Sequence, residues 1–293
     1  MAIVFMLFSF PTGALALPQG SSQDLFKLGI THLESNEYAA AIENFTQVIE
    51  ANPNYSKAYY NRCLAFLNSS DYQHAVADCD TALEKSPEFF EAYLNRGLAY
   101  YNLQLPAAAI ADFNYFLSIF PDDFRAYYDR GLAYFDEENY HEAVADYTRA
   151  LKLIPQTNTQ HIAAIHNNLG LTYLQLDDFE LAIKDFSQAI SAGVEDASYY
   201  CNRGYAFRQL EKYSQAIADF TESIRLNRRQ SAAYIGRGFA LYNSGRQQEA
   251  REDFLLAAEY FRDCGKMQQF HQIIYLIKIL RHKSPFAHKT LLT

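Results

Sequence analysis

"NRGLAY" occupies Asn95–Tyr100, and "DRGLAY" follows at Asp129–Tyr134. Near-copies stand at Asn61–Phe66 (NRCLAF), Asn202–Phe207 (NRGYAF) and Gly236–Leu241 (GRGFAL). Taking the tiny third residue as a marker gives Gly29, Cys63, Gly97, Gly131, Gly170, Gly204 and Gly238, at steps of 34, 34, 34, 39, 34 and 34 residues. Twelve residues beyond each marker is an alanine: Ala41, Ala75, Ala109, Ala143, Ala182, Ala216 and Ala250. Four further on comes an aromatic residue or cysteine: Phe45, Cys79, Phe113, Tyr147, Phe186, Phe220 and Phe254. Pro53, Pro87, Pro121 and Pro155 close the first four units. A fixed period of this size is the mark of a repeat architecture.

With the marker as position 8 of each unit, positions 4, 8 and 11 share one helical face, and positions 20, 24 and 27 share the matching face of a second helix. In the fourth unit these are Tyr127, Gly131 and Tyr134, then Ala143, Tyr147 and Ala150. Small residues at 8 and 20 let two backbones approach, and the aromatics fill the space beside them. A short polar turn, such as Asp136–Asn139, separates the helices. Each unit is therefore a helical hairpin, and because one hairpin cannot bury both faces, neighbours must stack.

The period, the Gly, the Ala, the aromatic and the closing Pro resemble the tetratricopeptide repeat family. The resemblance covers residues 22–264 as seven units: 22–55, 56–89, 90–123, 124–157, 163–196, 197–230 and 231–264. It implies an all-α fold, a right-handed superhelical solenoid of antiparallel helix hairpins. Two departures stand out: Tyr59, Tyr93, Tyr127, Tyr200 and Tyr234 fill the family's Trp-or-bulky position, and the last three units lack the closing Pro. Five extra residues fall in Ile154–Ile162, where a break between a block of four units and a block of three is expected; the alternative is a lengthened helix. Residues 266–283 carry Phe270, Ile273, Ile274, Leu276, Ile277 and Leu280 at helical spacing. This suits a helix capping the open last repeat better than a lightly basic membrane-surface helix. Residues 284–293 form a tail.

Position 7 repeats arginine: Arg62, Arg96, Arg130, Arg203 and Arg237. It borders the packing face, and a buried arginine needs a partner. Position 23 offers Asp78, Asp112, Asp146, Asp219 and Asp253, so Arg–Asp pairs are expected to clamp the hairpins, within a repeat or between neighbours. Unit one has neither charge (Leu28, Asn44), and unit five has Leu169 with Asp185. A residue recurring along a scaffold in this way is architecture, not catalysis.

In the tetratricopeptide family the stripe at positions 2, 6, 9 and 13 faces a concave groove. Here position 6 holds Asn61, Asn95, Asp129, Asn168 and Asn202, and position 9 holds Leu64, Leu98, Leu132, Leu171 and Tyr205. Amides carry both a donor and an acceptor, so the asparagine row, similar to that of the family's sugar-transferase members, implies a ladder for an extended peptide backbone; the alternative is that the amides solvate the groove or bond locally. Position 5 adds Tyr60 and Tyr128 for apolar and hydrogen-bonding contact. It carries no lysine, which speaks against the family's carboxylate clamp for acidic chaperone C-termini.

The 293 residues carry a net charge of −9, which disfavours nucleic-acid binding. None of the eight histidines forms a metal motif, no phosphate-binding or nucleophile-elbow motif occurs, and no metal, cofactor or enzymatic role is expected. Cys63, Cys79, Cys201 and Cys264 read as free thiols acting as small apolar residues, with Cys63 and Cys79 co-adapted across the helix interface. In an exported protein that pair could instead be a disulfide if the Cα atoms come within about 7 Å. Residues 1–20 combine an apolar run with Ala14-Leu15-Ala16 but no basic residue, and read as a signal peptide or N-terminal anchor. The expectation is thus an exported or anchored chain, cytoplasmic if that segment is not a signal, touching a membrane only through it. The expected function is a non-enzymatic scaffold binding a protein or peptide segment in its groove. The alternative is an assembly factor or chaperone for envelope or membrane protein complexes.

Overall fold

The computed structural model describes residues 21–280. The expected N-terminal signal or anchor, the C-terminal tail and the last residues of the capping segment lie outside them. The chain forms two compact units divided between Gln104 and Leu105. The first holds α1 (Ser22–Glu34), α2 (Tyr38–Ala51), α3 (Ser56–Asn68), α4 (Tyr72–Lys85) and α5 (Phe90–Asn102). The second holds α6 (Pro106–Ile119), α7 (Phe124–Asp136), α8 (Tyr140–Leu153), α9 (Thr159–Gln175), α10 (Phe179–Ser191), α11 (Ala197–Gln209), α12 (Tyr213–Leu226), α13 (Ser231–Asn243), α14 (Gln247–Asp263) and α15 (Met267–Leu280). No strand occurs among the described residues.

Local chemistry sets the ends of these helices. Ser21 and Asp24 form a reciprocal capping box before α1, Asp71, Asp123 and Asp196 cap α4, α7 and α11, and Pro106 opens α6 at a position that needs no N–H. Between the helices of a hairpin one residue takes the left-handed conformation: Asn36, Ser70, Gln104, Glu138, Asp177, Glu211 and, in the last hairpin, Gly245. That twist turns the next amides back onto the helix end, as where Asp71 N–H reaches the Phe66 carbonyl at 2.9 Å.

The hairpin interface leaves no room for a side chain at position 8. A Cβ placed on Gly131 would lie 2.7 Å from the Tyr147 ring, and one on Gly170 would lie 2.7 Å from the Phe186 ring. Position 8 is therefore tiny because position 24 carries a ring pressed against its backbone. Tyr147, Phe45, Phe113, Phe186, Phe220 and Phe254 are all among the most deeply buried side chains.

The second hairpin solves the same problem covalently. Cys63 and Cys79 form a disulfide with Cα atoms 5.5 Å apart, while Cys201 and Cys264 are free. The reading of all four cysteines as free thiols is thus corrected for this pair. Two small side chains at the point of closest backbone approach fall within bridging distance, and the bond fills the place a ring takes elsewhere.

The expected break at Ile154–Ile162 does not divide the chain. α9 runs 17 residues against 13 for α7 and α11, so the insertion mostly lengthens a helix. α9 still packs on α8, α7 and α10 within the second unit. At the C-terminal end α15 lays Phe270, Ile273, Ile274, Leu276, Ile277 and Leu280 onto the Leu241–Phe254 core of the last hairpin.

If the disulfide stands in for the glycine–ring pair, the Cys63→Gly/Cys79→Phe double variant should fold with the helix content of the parent. In reducing buffer, where no bond contributes, it should exceed the single Cys79→Phe variant in chemical-denaturation stability by about 1–3 kcal/mol, because the single variant overpacks a ring against Cys63. Equal stabilities would contradict this account.

Candidate functional site

Within each unit the odd-numbered helices touch the next odd-numbered one: α1 with α3, α3 with α5, α7 with α9, α9 with α11 and α11 with α13. Among the described residues of either unit, no even-numbered helix touches the next even-numbered one. The odd-numbered helices are therefore crowded together on one side of each stack, and their exposed stripe forms its inner face.

Arginine fixes where these helices lie. Arg62 donates from Nε and an Nη to both oxygens of Asp78 at 2.6 and 2.8 Å. Arg130 does the same to Asp146 (2.7 and 2.7 Å), Arg203 to Asp219 (2.8 and 2.8 Å) and Arg237 to Asp253 (2.8 and 2.7 Å). These pairs lie within one repeat. The remaining Nη reaches back to position 25 of the preceding repeat: Arg62 to Thr46, Arg130 to Asn114, Arg203 to Ser187 and Arg237 to Thr221, at 2.6–3.0 Å. Arg96 donates to Asp80 at that same position, 2.6 Å away. Arg96 lies in the first compact unit and its sequence-predicted partner Asp112 in the second. Each of these guanidinium groups also lies against the aromatic ring three residues before it, and all but that of Arg237 against the one four residues after it, as Arg130 does on Tyr127 and Tyr134 at 5.5 and 5.7 Å.

Unit five, where Leu169 replaces the arginine, keeps its aspartate satisfied by a different route. His166, at position 4, meets Asp185 through Nδ1 at 2.8 Å. Sequence reasoning missed this partner, although a histidine in the row of tyrosines at position 4 was the available signal. Asn44, the uncharged counterpart in unit one, buries an Oδ1 with no hydrogen-bond partner.

The predicted groove residues sit half-buried on the inner stripe: Asn61, Asn95, Asp129, Asn168 and Asn202, with Leu64, Leu98, Leu132, Tyr60 and Tyr128. Several amides already spend a donor locally. Asn61 donates to the Lys57 carbonyl at 2.7 Å. Asn202 donates to Asn167 Oδ1 (3.0 Å), Asn167 to Asn168 Oδ1 (3.5 Å), and Asn168 to the Tyr128 hydroxyl (3.1 Å). This row runs across three consecutive odd-numbered helices, and Asn167, at position 5, was not foreseen as a member. Tyr60 stacks on Phe89 with ring centroids 5.2 Å apart. Asp129 is the one acid in the row. Burial pushes its carboxyl up to about 7; Arg125 opposes that rise and Asp123 adds to it. Among the described residues no cluster could hold a metal ion, and no helix is long and apolar enough to cross a membrane.

Family models described as tetratricopeptide repeat match residues 26–88 and 63–124, 122–192 and 197–230. The chain belongs to the tetratricopeptide repeat family. Solved structures agree on the fold. That of a tetratricopeptide repeat protein from Parabacteroides merdae is similar over 89% of this chain and 99% of its own, at 20% identity and a TM-score of 0.61. PilW, described as a widely conserved type IV pilus biogenesis factor, is similar over 72% and 96%, at 18% identity and a TM-score of 0.63. MamA from Desulfovibrio magneticus is similar over 59% and 96%, at 23% identity and a TM-score of 0.54. A comparison with curated proteins returns no match. A tetratricopeptide solenoid is a protein-interaction scaffold in kind.

Two measurements probe this frame. Asp146→Ala leaves the mostly buried Arg130 without its carboxylate and should cost about 3–5 kcal/mol in denaturant unfolding, whereas Arg130→Met/Asp146→Leu, which buries no charge, should lie closer to the parent. Asp129 supplies the second. Its folded pKa lies above the unfolded value of 3.8, so its contribution is most favourable at low pH and is lost as pH rises toward about 7. Thermal melts should therefore show Asp129→Asn gaining on the parent at pH 8 but not at pH 4.

Proposed function

We propose that this chain is a non-enzymatic scaffold that binds an extended segment of another protein along the inner stripe of its odd-numbered helices. The observation that carries this reading is the hydrogen-bonded amide row from Asn202 through Asn167 and Asn168 to Tyr128, beside half-buried Leu132 and Leu171. Each amide keeps further donor or acceptor capacity, and its neighbours hold it in a fixed orientation. A pre-oriented amide can meet a peptide backbone without paying to order itself. The leucines and Tyr60 and Tyr128 would supply apolar area between these polar rungs. The Arg–Asp pairs face the hairpin interface and serve the scaffold, not the ligand. No nucleic-acid partner is proposed, in keeping with the net charge of −9.

A second reading makes the chain an exported or anchored assembly factor for envelope or membrane complexes, using the same groove. The Cys63–Cys79 disulfide favours it, since such bonds persist in oxidising compartments. PilW, with its description as a pilus biogenesis factor, is a fold relative of that kind. Under this reading residues 1–20 direct export; without a signal there, the location is cytoplasmic.

The test is capture of partners from an extract of the source cells, compared across variants. A partner held in the groove should be retained by the parent and by Glu142→Lys, at an exposed position of the even-numbered α8, and lost by Leu132→Lys and Leu171→Lys. Retention by all four would refute the groove. Non-reducing mass spectrometry of the chain purified from those cells should find Cys63 and Cys79 linked if the second reading holds.

A further inference from the structure

Position 12 of the odd-numbered helices is apolar in every unit but one: Leu33, Leu67, Tyr101, Phe135, Leu174 and Tyr242, against Arg208 in unit six. The Arg208 guanidinium lies 5.0 Å from the ring centroid of Tyr205 and 5.5 Å from that of Phe239. Both rings belong to position 9, the middle of the inner stripe, and Tyr205 is 40% exposed there. Arg208 Nε is buried and has no hydrogen-bond partner. Burial pushes its pKa down, opposed only by the phenols of Tyr205 and Tyr213. Its neighbours Arg203 and Arg237 are held charged instead by hydrogen bonds to Asp219 and Asp253. Among the described residues, no carboxylate stands within ion-pair distance of Arg208, and no acidic residue occupies positions 2, 6, 9 or 13 of units five to seven.

A half-buried cation without a counter-charge is costly to keep. Each of the repeated arginines at position 7 reaches an aspartate, whereas Arg208 has only a phenol. The site is also not a bare surface arginine, because the rings of Tyr205 and Phe239 flank the guanidinium and the Tyr205 phenol takes one hydrogen bond from it, which leaves the rest of this half-buried group's N–H donors for a ligand. We infer that Arg208 is the charge-reading residue of the groove and takes a carboxylate from an acidic protein segment, whose adjoining apolar side chain lies on Tyr205. The inference rests on the groove reading above and adds the chemistry of its occupant. Since the chain as a whole is at −9, a run of acids would be repelled; the fit is to a single acid among apolar residues.

The experiment uses the full chain and phage-displayed random peptides of about ten residues, followed by anisotropy titration of the enriched sequences. Enriched peptides should carry an acid, and replacing it by Gln should weaken binding about tenfold, the scale of one charge-assisted hydrogen bond. Arg208→Leu, which restores the residue of units one, two and five, should fold as the parent and lose that discrimination. Arg208→Lys should keep part of it. Peptides with internal Glu and an amidated end, against Gln and a free end, tell a side-chain carboxylate from a terminal one; discrimination of either kind that vanishes in Arg208→Leu supports the inference. Peptides that bind with no acid preference, or a preference that survives in Arg208→Leu, overturn it while leaving the groove intact. Absence of any groove-binding peptide overturns both.

Discussion

Everything in this structure hangs on how closely two helices approach at one point per repeat. At position 8 the backbone has no side chain to offer, and the ring at position 24 presses directly on it. That contact sets the hairpin spacing, which places the position-7 guanidinium within reach of the position-23 carboxylate. The same spacing lets the remaining nitrogens touch the preceding repeat. Stability thus divides into a hairpin term and a neighbour term, the arrangement expected of stacked repeats. In the second hairpin a covalent bond replaces the ring without changing the logic, because both solutions need two backbones held near.

The inner stripe is a consequence of that same crowding. Within each compact unit, α1, α3 and α5, and likewise α7, α9, α11 and α13, meet in succession while the even-numbered helices do not, so side chains at positions 5, 6, 9 and 12 from successive repeats converge. Convergence is what turns isolated asparagines into a connected row and brings Arg208 of one repeat over Phe239 of the next. The chemistry of the groove is written by the departures from the repeat: Asp129 in place of an amide, Asn167 at position 5 and Arg208 at position 12.

Features that recur every 34 residues were legible in the sequence, because seven instances of one physical problem show its solution: the glycine, the alanine, the ring and the arginine with its aspartate. What escaped were contacts made once or across repeats. His166 replaces an arginine from three residues away, a substitution visible only when helical faces, and not columns, are compared. The position-25 acceptors Thr46, Asp80, Asn114, Ser187 and Thr221 are polar in every case, yet a surface helix carries many polar residues, and nothing in the spacing singles them out. Cys63 and Cys79 stood correctly opposite one another; their oxidation depends on a distance that periodicity alone does not supply. The five extra residues drew attention to a connection, whereas the helix absorbed most of them.

The backward reach of the arginine makes the repeats interchangeable parts. Each arginine seeks an acceptor at position 25 of whichever unit precedes it, and Thr, Asp, Asn and Ser all serve. A change of neighbour among the first six units would still offer a polar position 25 to receive the bond, since only unit seven, with Leu255, lacks one, so the array can change length without losing these joints. Unit five is the exception. With Leu169 it sends no arginine backward, so at that seam a transplanted neighbour would find no matching contact.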